Sequence, residues 1–265
     1  MKRAISNLRA LASLSWRIFA PTVGAKFRKS FLGYFWMVAP ALLITAGVTL
    51  ANRAGIINSG ATGMPYPLFV LIGTLIWQVF VEAFGVPHAA FEGARTYLTR
   101  VYFRREAILL AQLIETMITA AVRLLLVMLI VTFYYGPEPL AFLWVPVCFL
   151  GAVLLGLGCG SLLMPFTLLF TDLHQAIRLV LAYGLFLTPA MYQPKAESAF
   201  ATLVRLNPVS TLMDAARHAA AGTQLQNPQA LVLVLAAAVV LTIAGFALVR
   251  GAAPIVIERM LLGGR

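Results

Sequence analysis

Apolar residues in this chain come in long runs, separated by short stretches rich in charge, proline or glycine. The mostly apolar runs lie at about 34–51, 67–87, 107–133, 141–170, 177–193 and 229–249. A helix needs about 20 such residues to cross some 30 Å of hydrocarbon. The pattern therefore predicts an all-α integral membrane fold, one domain with six transmembrane helices. Residues 2–20 follow a different pattern. Lys2, Arg3, Ser6, Arg9, Ser13 and Arg17 share one arc of a helical wheel, with Ile5, Leu8, Leu11, Trp16 and Phe19 opposite. A basic face against an aromatic and aliphatic one predicts an amphipathic helix lying in the membrane surface. The plainer alternative is a frayed start to the first span. Pro21 and Gly24 end this helix. The cations Lys26, Arg28 and Lys29 then precede Tyr34, Phe35 and Trp36, the order expected where a chain passes from headgroups into hydrocarbon. Residues 1–33 are thus read as interface helix and approach segment.

Residues 194–228 fit neither a span nor an ordinary loop. Ala199 to Leu206 and Val209 to Ala221 are apolar enough to bury, but Arg205, Asn207-Pro208, Asp214 and Arg217 interrupt them. Two short helices broken at Asn207-Pro208 are expected, forming a re-entrant hairpin between spans five and six that dips into the outer leaflet. Irregular backbone survives there only when buried in protein or lining a watery cavity.

Composition agrees with a membrane protein. Of 265 residues, 61% are hydrophobic and 11% charged, where a soluble domain carries about a quarter charged. The net charge of +11 raises the possibility of nucleic acid, but the cations flank apolar runs instead of covering a polar face. The six-span threading puts fifteen Lys and Arg on one side and four on the other, leaving Arg123 inside a span. The positive-inside rule then places both termini in the cytoplasm. The N-terminus has no compact apolar core followed by a small-residue cleavage site, so a cleaved signal peptide is not expected. Cys148 and Cys159 lie eleven residues apart in one run, about 16 Å along a helix, and are read as small apolar fillers.

No catalytic or metal constellation is apparent. His88, His174 and His218 fall in three different loops of the threading, and Gly156, Gly158 and Gly160 are not followed by a phosphate-binding lysine. No bound cofactor is expected, so an active transporter would take its energy from another subunit. Ala152, Gly156 and Gly160, four residues apart, form a stripe against which another helix can approach closely. In span three, Gln112, Glu115, Thr116, Thr119 and Arg123 share one face, with Arg123 near mid-membrane. A charge there faces a bundle interior or cavity. Two readings stand, a structural interhelical pair and the border of a translocation path. The aromatics Tyr34, Phe35, Trp36, Trp77, Phe80, Phe84, Tyr183, Phe186 and Tyr192 mark interface belts by base rate, and a subset would line a channel, because flat rings stack on sugars. The channel-lining candidates are Tyr34, Trp36, Trp77, Phe80, Glu115, Thr119, Arg123, Tyr183, Phe186 and Tyr192.

Several motifs in order resemble the permease subunits of ABC-2-type polysaccharide exporters, which export O-antigen, capsule and teichoic acid. They are Lys26 to Trp36 with Pro40, Tyr66 to Gly73, Trp77 to Phe80, Arg100 to Glu106, Thr171-Asp172, Thr188 to Tyr192, and Leu206-Asn207-Pro208 with Arg217 downstream. Arg104 stands where the family often has proline, and Thr171 where it commonly has arginine. The resemblance implies a homodimer in the bacterial inner membrane, served by two copies of a separate ATPase that binds ATP and Mg. It implies a lipid-linked polysaccharide substrate, O-antigen-type favoured, with capsular polysaccharide or teichoic acid as alternatives. It also implies that 88–106 carries the ATPase-coupling helix, with Glu92, Arg95, Arg100, Arg104, Arg105 and Glu106 as coupling residues. Arg205, Asn207, Pro208, Asp214 and Arg217 would belong to an outer gate. A membrane-embedded sugar transferase is the rival from another class, but it needs acids or histidines gathered at one face, and Glu92, Glu106 and Asp172 are scattered. A proton-driven carrier wants buried acids, for which only Glu82 and Glu115 qualify.

Overall fold

A computed structural model describes residues 33–57, 60, 62–98, 105–193, 204 and 206–262; at 33–34, 94–98, 105–109 and 253–262 it describes the backbone alone. The interface helix expected over 1–33 lies outside the described residues except for Gly33. A short 3-10 helix (Gly33–Met37) leads into α1 (Ala39–Arg53), α2 (Tyr66–Leu98), α3 (Arg105–Tyr135), α4 (Pro139–Leu169), α5 (Thr171–Leu187), α6 (Pro208–Ala220) and α7 (Pro228–Leu262). Proline stands in the first turn of α1, α4 and α6, where its fixed φ suits the helix and its missing N–H is not needed.

Stretches within four of these helices are long and apolar enough to cross a membrane: Tyr66–Gly93, Leu110–Tyr135, Pro139–Leu169 and Pro228–Ala252. The expected all-α membrane architecture is present. The other two predicted spans correspond to α1, with 15 residues, and α5, with 17. At 1.5 Å per residue they are about 22 and 25 Å long, short of a full crossing taken alone.

Three predicted boundaries shift, each for a local reason. Pro87 was expected to end the second span, but α2 runs through it to Leu98. A membrane helix tolerates proline where neighbouring helices satisfy the freed backbone, and Pro87 is buried. The fifth span was expected at 177–193, yet α5 begins at Thr171, with Asp172 in its first turn at the positive end of the helix dipole. It stops before Thr188, which Pro189 holds in extended backbone. The third shift is in α7, which reaches Leu262 where 249 was expected.

α4 is the hub. It packs most closely against α2 and α7, then α6, and more lightly against α3 and α5. The small-residue stripe makes this possible. A Cβ on Gly156 or Gly160 would run into the backbone carbonyls of Phe80 or Phe84 on α2, and one on Gly158 would meet α7 at Leu241 and Thr242. On the bundle's outside, Leu129 and Phe133 of α3, Phe186 of α5 and Leu233 of α7 are exposed, as faces meant for hydrocarbon are.

Candidate functional site: a cleft beneath Arg123 and a clamp at Arg217

Between α1, α2, α3 and α5 opens a cleft of about 760 Å³. Its polar wall comes from α2 and α3: Gln78, Glu82, Gln112, Glu115, Thr116 and Thr119, with Arg123 behind them. The opposite wall is apolar, made by Trp36, Pro40 and Ile44 at the start of the chain's first helices and by Leu181, Ala182 and Leu185 of α5. Heptad-like spacing on α3 puts Gln112, Thr116, Thr119 and Arg123 on one face, which is why a single helix supplies most of the polar side.

Arg123 is 3% exposed, so its charge must be met inside the protein. It forms a two-pronged ion pair with Glu82 of α2, with Nη1 to Oε2 at 2.8 Å and Nη2 to Oε1 at 2.5 Å. Its Nε donates to the Met37 carbonyl at 3.1 Å, and the Thr119 hydroxyl donates to Glu82 Oε2 at 3.1 Å. Glu115 lies elsewhere on the wall and accepts from Gln112 Nε2 at 3.2 Å. Glu82 was weighed in the sequence only as a carrier acid; its link to Arg123 spans 41 positions and leaves no local pattern. Arg123 sits about 20 Å along α3 from either end of that helix's apolar stretch, so Met37, at the end of the 3-10 helix, packs beside the middle of α3.

The channel-lining candidates separate. Trp36, Trp77, Glu115, Thr119 and Arg123 converge on the cleft. Trp77 also seats α5, since its indole N–H donates to the Leu181 carbonyl at 3.2 Å and a Cβ on Gly184 would strike the ring. Phe80 lies in the core between Trp77 and Phe84. Tyr183 and Phe186 point outward from α5. The Tyr34 side chain lies outside the described residues.

At the end of the bundle where α2 begins and α5 stops, a second arrangement centres on Arg217 of α6. It is 4% exposed and donates to the carbonyls of Phe69 (3.3 and 3.1 Å), Pro189 (2.8 Å) and Ala190 (2.9 Å), and to Asp214 at 3.3 Å. Its guanidinium carbon stands 3.5 Å from the Phe69 ring centre. Burial lowers its pKa to about 10, Asp214 opposes that fall, and the group stays protonated at neutral pH. Asn207 caps α6, accepting from the Val209 N–H at 3.0 Å and donating to Thr188 at 3.2 Å. Tyr66 donates to the Met191 carbonyl at 2.9 Å. Three motifs far apart in sequence (Tyr66 to Gly73, Thr188 to Tyr192, and Asn207-Pro208 with Arg217) thus close on one another. Gly73 is required there, because a Cβ would come within 2.5 Å of Arg217 Nη2 and 2.8 Å of the Ala190 carbonyl. Beside the clamp is a polar pocket of about 340 Å³ with Tyr192 and Asp214 in its wall. Arg205 lies outside the described residues; Pro208 is the exposed first residue of α6.

Of the coupling candidates, Glu92 and Arg95 ride on the last turns of α2, while Arg105 and Glu106 open α3. Arg100 and Arg104 lie outside the described residues. The expectation that the histidines stay apart is overturned for two of them. His88 sits within α2 and His174 in the first turns of α5, and their rings stack 3.8 Å apart at 11°. His88 Nδ1 also meets the Thr167 hydroxyl at 3.1 Å. The run through Pro87 creates this pairing, and so the sequence hid it. No three His, Cys, Asp or Glu residues among those described gather as a metal site.

No family profile matches the chain. Among proteins of known role, it is 27% identical over 252 residues to the O-antigen export system permease protein RfbA of Myxococcus xanthus, covering 91% of this chain and 93% of that protein. It is 24% identical over 214 residues to the protein of the same name from Klebsiella pneumoniae, covering 78% and 80%. The relatives and the motifs agree in what the chain is similar to, the permeases of O-antigen export systems.

Proposed function

We propose that this chain is the membrane subunit of an exporter that carries lipid-linked polysaccharide of O-antigen type across the bacterial inner membrane. The observation that carries the reading is the near full-length match to an O-antigen export permease, with 93% of that protein covered. In this reading two copies form the channel, with six crossings each, both termini in the cytoplasm, and the Arg217 clamp on the outer side. Two copies of a separate ATPase, holding ATP and Mg, dock on 88–106 through Glu92, Arg95, Arg100, Arg104, Arg105 and Glu106. Hydrolysis there moves the coupling segment and parts α1 from α5, which together make the cleft's apolar wall. The lipid-linked glycan enters through that gap and leaves past the segment 194–228.

The test is to purify the tagged chain from its own host. An ABC ATPase should come down with it at equal stoichiometry, and deleting the chain should abolish surface polysaccharide while lipid-linked precursor accumulates inside. Recovery of the chain without an ATPase, together with unchanged surface polysaccharide, would overturn the proposal.

A further inference from the structure

α5 packs lightly on α4 and α2, and its Leu179, Val180, Phe186 and Leu187 are exposed. One of the contacts that hold it can change its charge. Near the start of α5 the His174 ring stacks on His88 of α2, 3.8 Å away and 11° from parallel, with both residues half-buried. His88 is also fixed from α4. The Thr167 hydroxyl gives its one proton to the Met164 carbonyl at 3.0 Å, so at its 3.1 Å contact with His88 it accepts, and Nδ1 of that ring carries the hydrogen. An added proton therefore goes to Nε2 and leaves the Thr167 bond intact. α2 and α4 are locked together besides, where Gly156 and Gly160 meet the Phe80 and Phe84 backbone. When the rings are driven apart, His174 and the foot of α5 are what move. The surrounding charges do not neutralise a doubly protonated pair. Glu92 of α2 and Arg178 of α5 both act on His88, with opposite signs. Asp172 of α5 is exposed, as is Arg250 of α7, the helix that meets this end of α2 and α4 through Val249, and water screens them both. Glu115 of α3 lines the cleft. Neutral imidazoles stack favourably, whereas two imidazolium rings at this separation repel.

We propose that the His88–His174 stack is a proton-operated joint, closed while at most one ring is charged and open when both are, and that its opening swings the foot of α5 away from α2. The pivot is Trp77, which holds α5 two to three turns further on through the Leu181 carbonyl and the close approach of Gly184. Above the pivot the helix stays seated. Below it, the cleft, which already reaches Ala89 beside His88, lengthens toward the end of α2. The joint is a property of this chain alone and goes beyond the exporter reading. Within that reading, a fall in cytoplasmic pH loosens the helix that has to part from α1.

The experiment measures a distance across the joint in the full-length chain, with Cys148 and Cys159 replaced by alanine. Spin labels are placed at Gly93→Cys on α2 and Gln175→Cys on α5, both exposed, with open space around Gly93. Labelled chain is diluted with unlabelled chain in nanodiscs, so that only distances within one copy are read. Between about pH 8 and about pH 5, where imidazole changes charge, the parent should gain a longer-distance population that disappears on return to neutral pH. His174→Phe keeps a ring in the stack and the Thr167 bond of His88 but carries no second charge, and it should hold the short distance throughout. His88→Phe makes the same test from α2 where the first variant folds poorly. A distance that stays constant in the parent across this interval would overturn the proposal. So would a shift of equal size in either phenylalanine variant. Neither outcome depends on whether the chain exports a glycan.

Discussion

Arg217 and Phe69, 148 positions apart, are joined twice: the guanidinium lies over the aromatic ring and donates to the same residue's carbonyl. That carbonyl sits near the start of α2. With Pro189 and Ala190 as its other acceptors, one side chain holds three separate segments of the chain together.

Removing this side chain should therefore unfold more than α6. Arg217→Met strips the partner from three carbonyls, and unmet buried acceptors cost roughly 1–3 kcal/mol each. A fall in thermal midpoint of well over 5 °C is expected in detergent, with Arg217→Lys intermediate because an ammonium lacks the forked geometry. A midpoint within 1 °C of wild type would refute the clamp.

The Glu82–Arg123 pair makes a prediction of opposite additivity. Stranding the buried Arg123 guanidinium costs about 3–5 kcal/mol, while replacing both partners with apolar residues is often neutral. Glu82→Leu alone should therefore fold poorly, and Glu82→Leu with Arg123→Leu should recover stability. If the pair serves only as structure, the double variant exports normally. If its carboxylate faces the path, as its 40% exposure indicates, the double variant is stable and export falls at least tenfold.

Glycine substitutions separate helix contact from helix propensity. Gly160→Ala places a methyl group against the Phe84 backbone and should destabilise by about 1–3 kcal/mol. Gly47→Ala in α1 meets nothing within 4 Å and should stabilise by ~0.5–1 kcal/mol. Unfolding of both variants in one denaturant series decides the matter, and equal effects would contradict the hub role of α4.

Charge reversal of Arg104 and Arg105 to Glu tests the coupling segment. ATPase activity of the assembled complex should continue or rise while export drops, because docking in this proposal is electrostatic. Export at the wild-type rate would remove these two residues from the coupling surface.

Much of this architecture was legible because a membrane imposes a coarse code. Long apolar runs, the small-residue stripe at Gly156 and Gly160, and the burial of Arg123 each follow from local composition. What escaped were partners set by distance along the chain. Nothing near Arg123 points to Glu82, and nothing near Asn207 points to Thr188. Two local rules also misled. Pro87 reads as a helix end in water, yet surrounding helices let α2 continue, and so His88 reaches His174. The polar Thr171-Asp172 reads as a loop, but polar residues are what a helix wants in its first turn.

The persistence of α2 through Pro87 has a mechanical consequence. A helix of 33 residues is a rod about 50 Å long, stiff along its axis. A displacement applied near Leu98 is delivered to Tyr66 and Phe69 at the far end within the same stroke, with no hinge loop to absorb it. Pro87, the proline inside this helix, supplies no N–H to the ladder, and the rod bends most easily there. The Arg217 clamp and the cleft therefore ride on one drive shaft, and its compliance is concentrated one residue from the histidine stack.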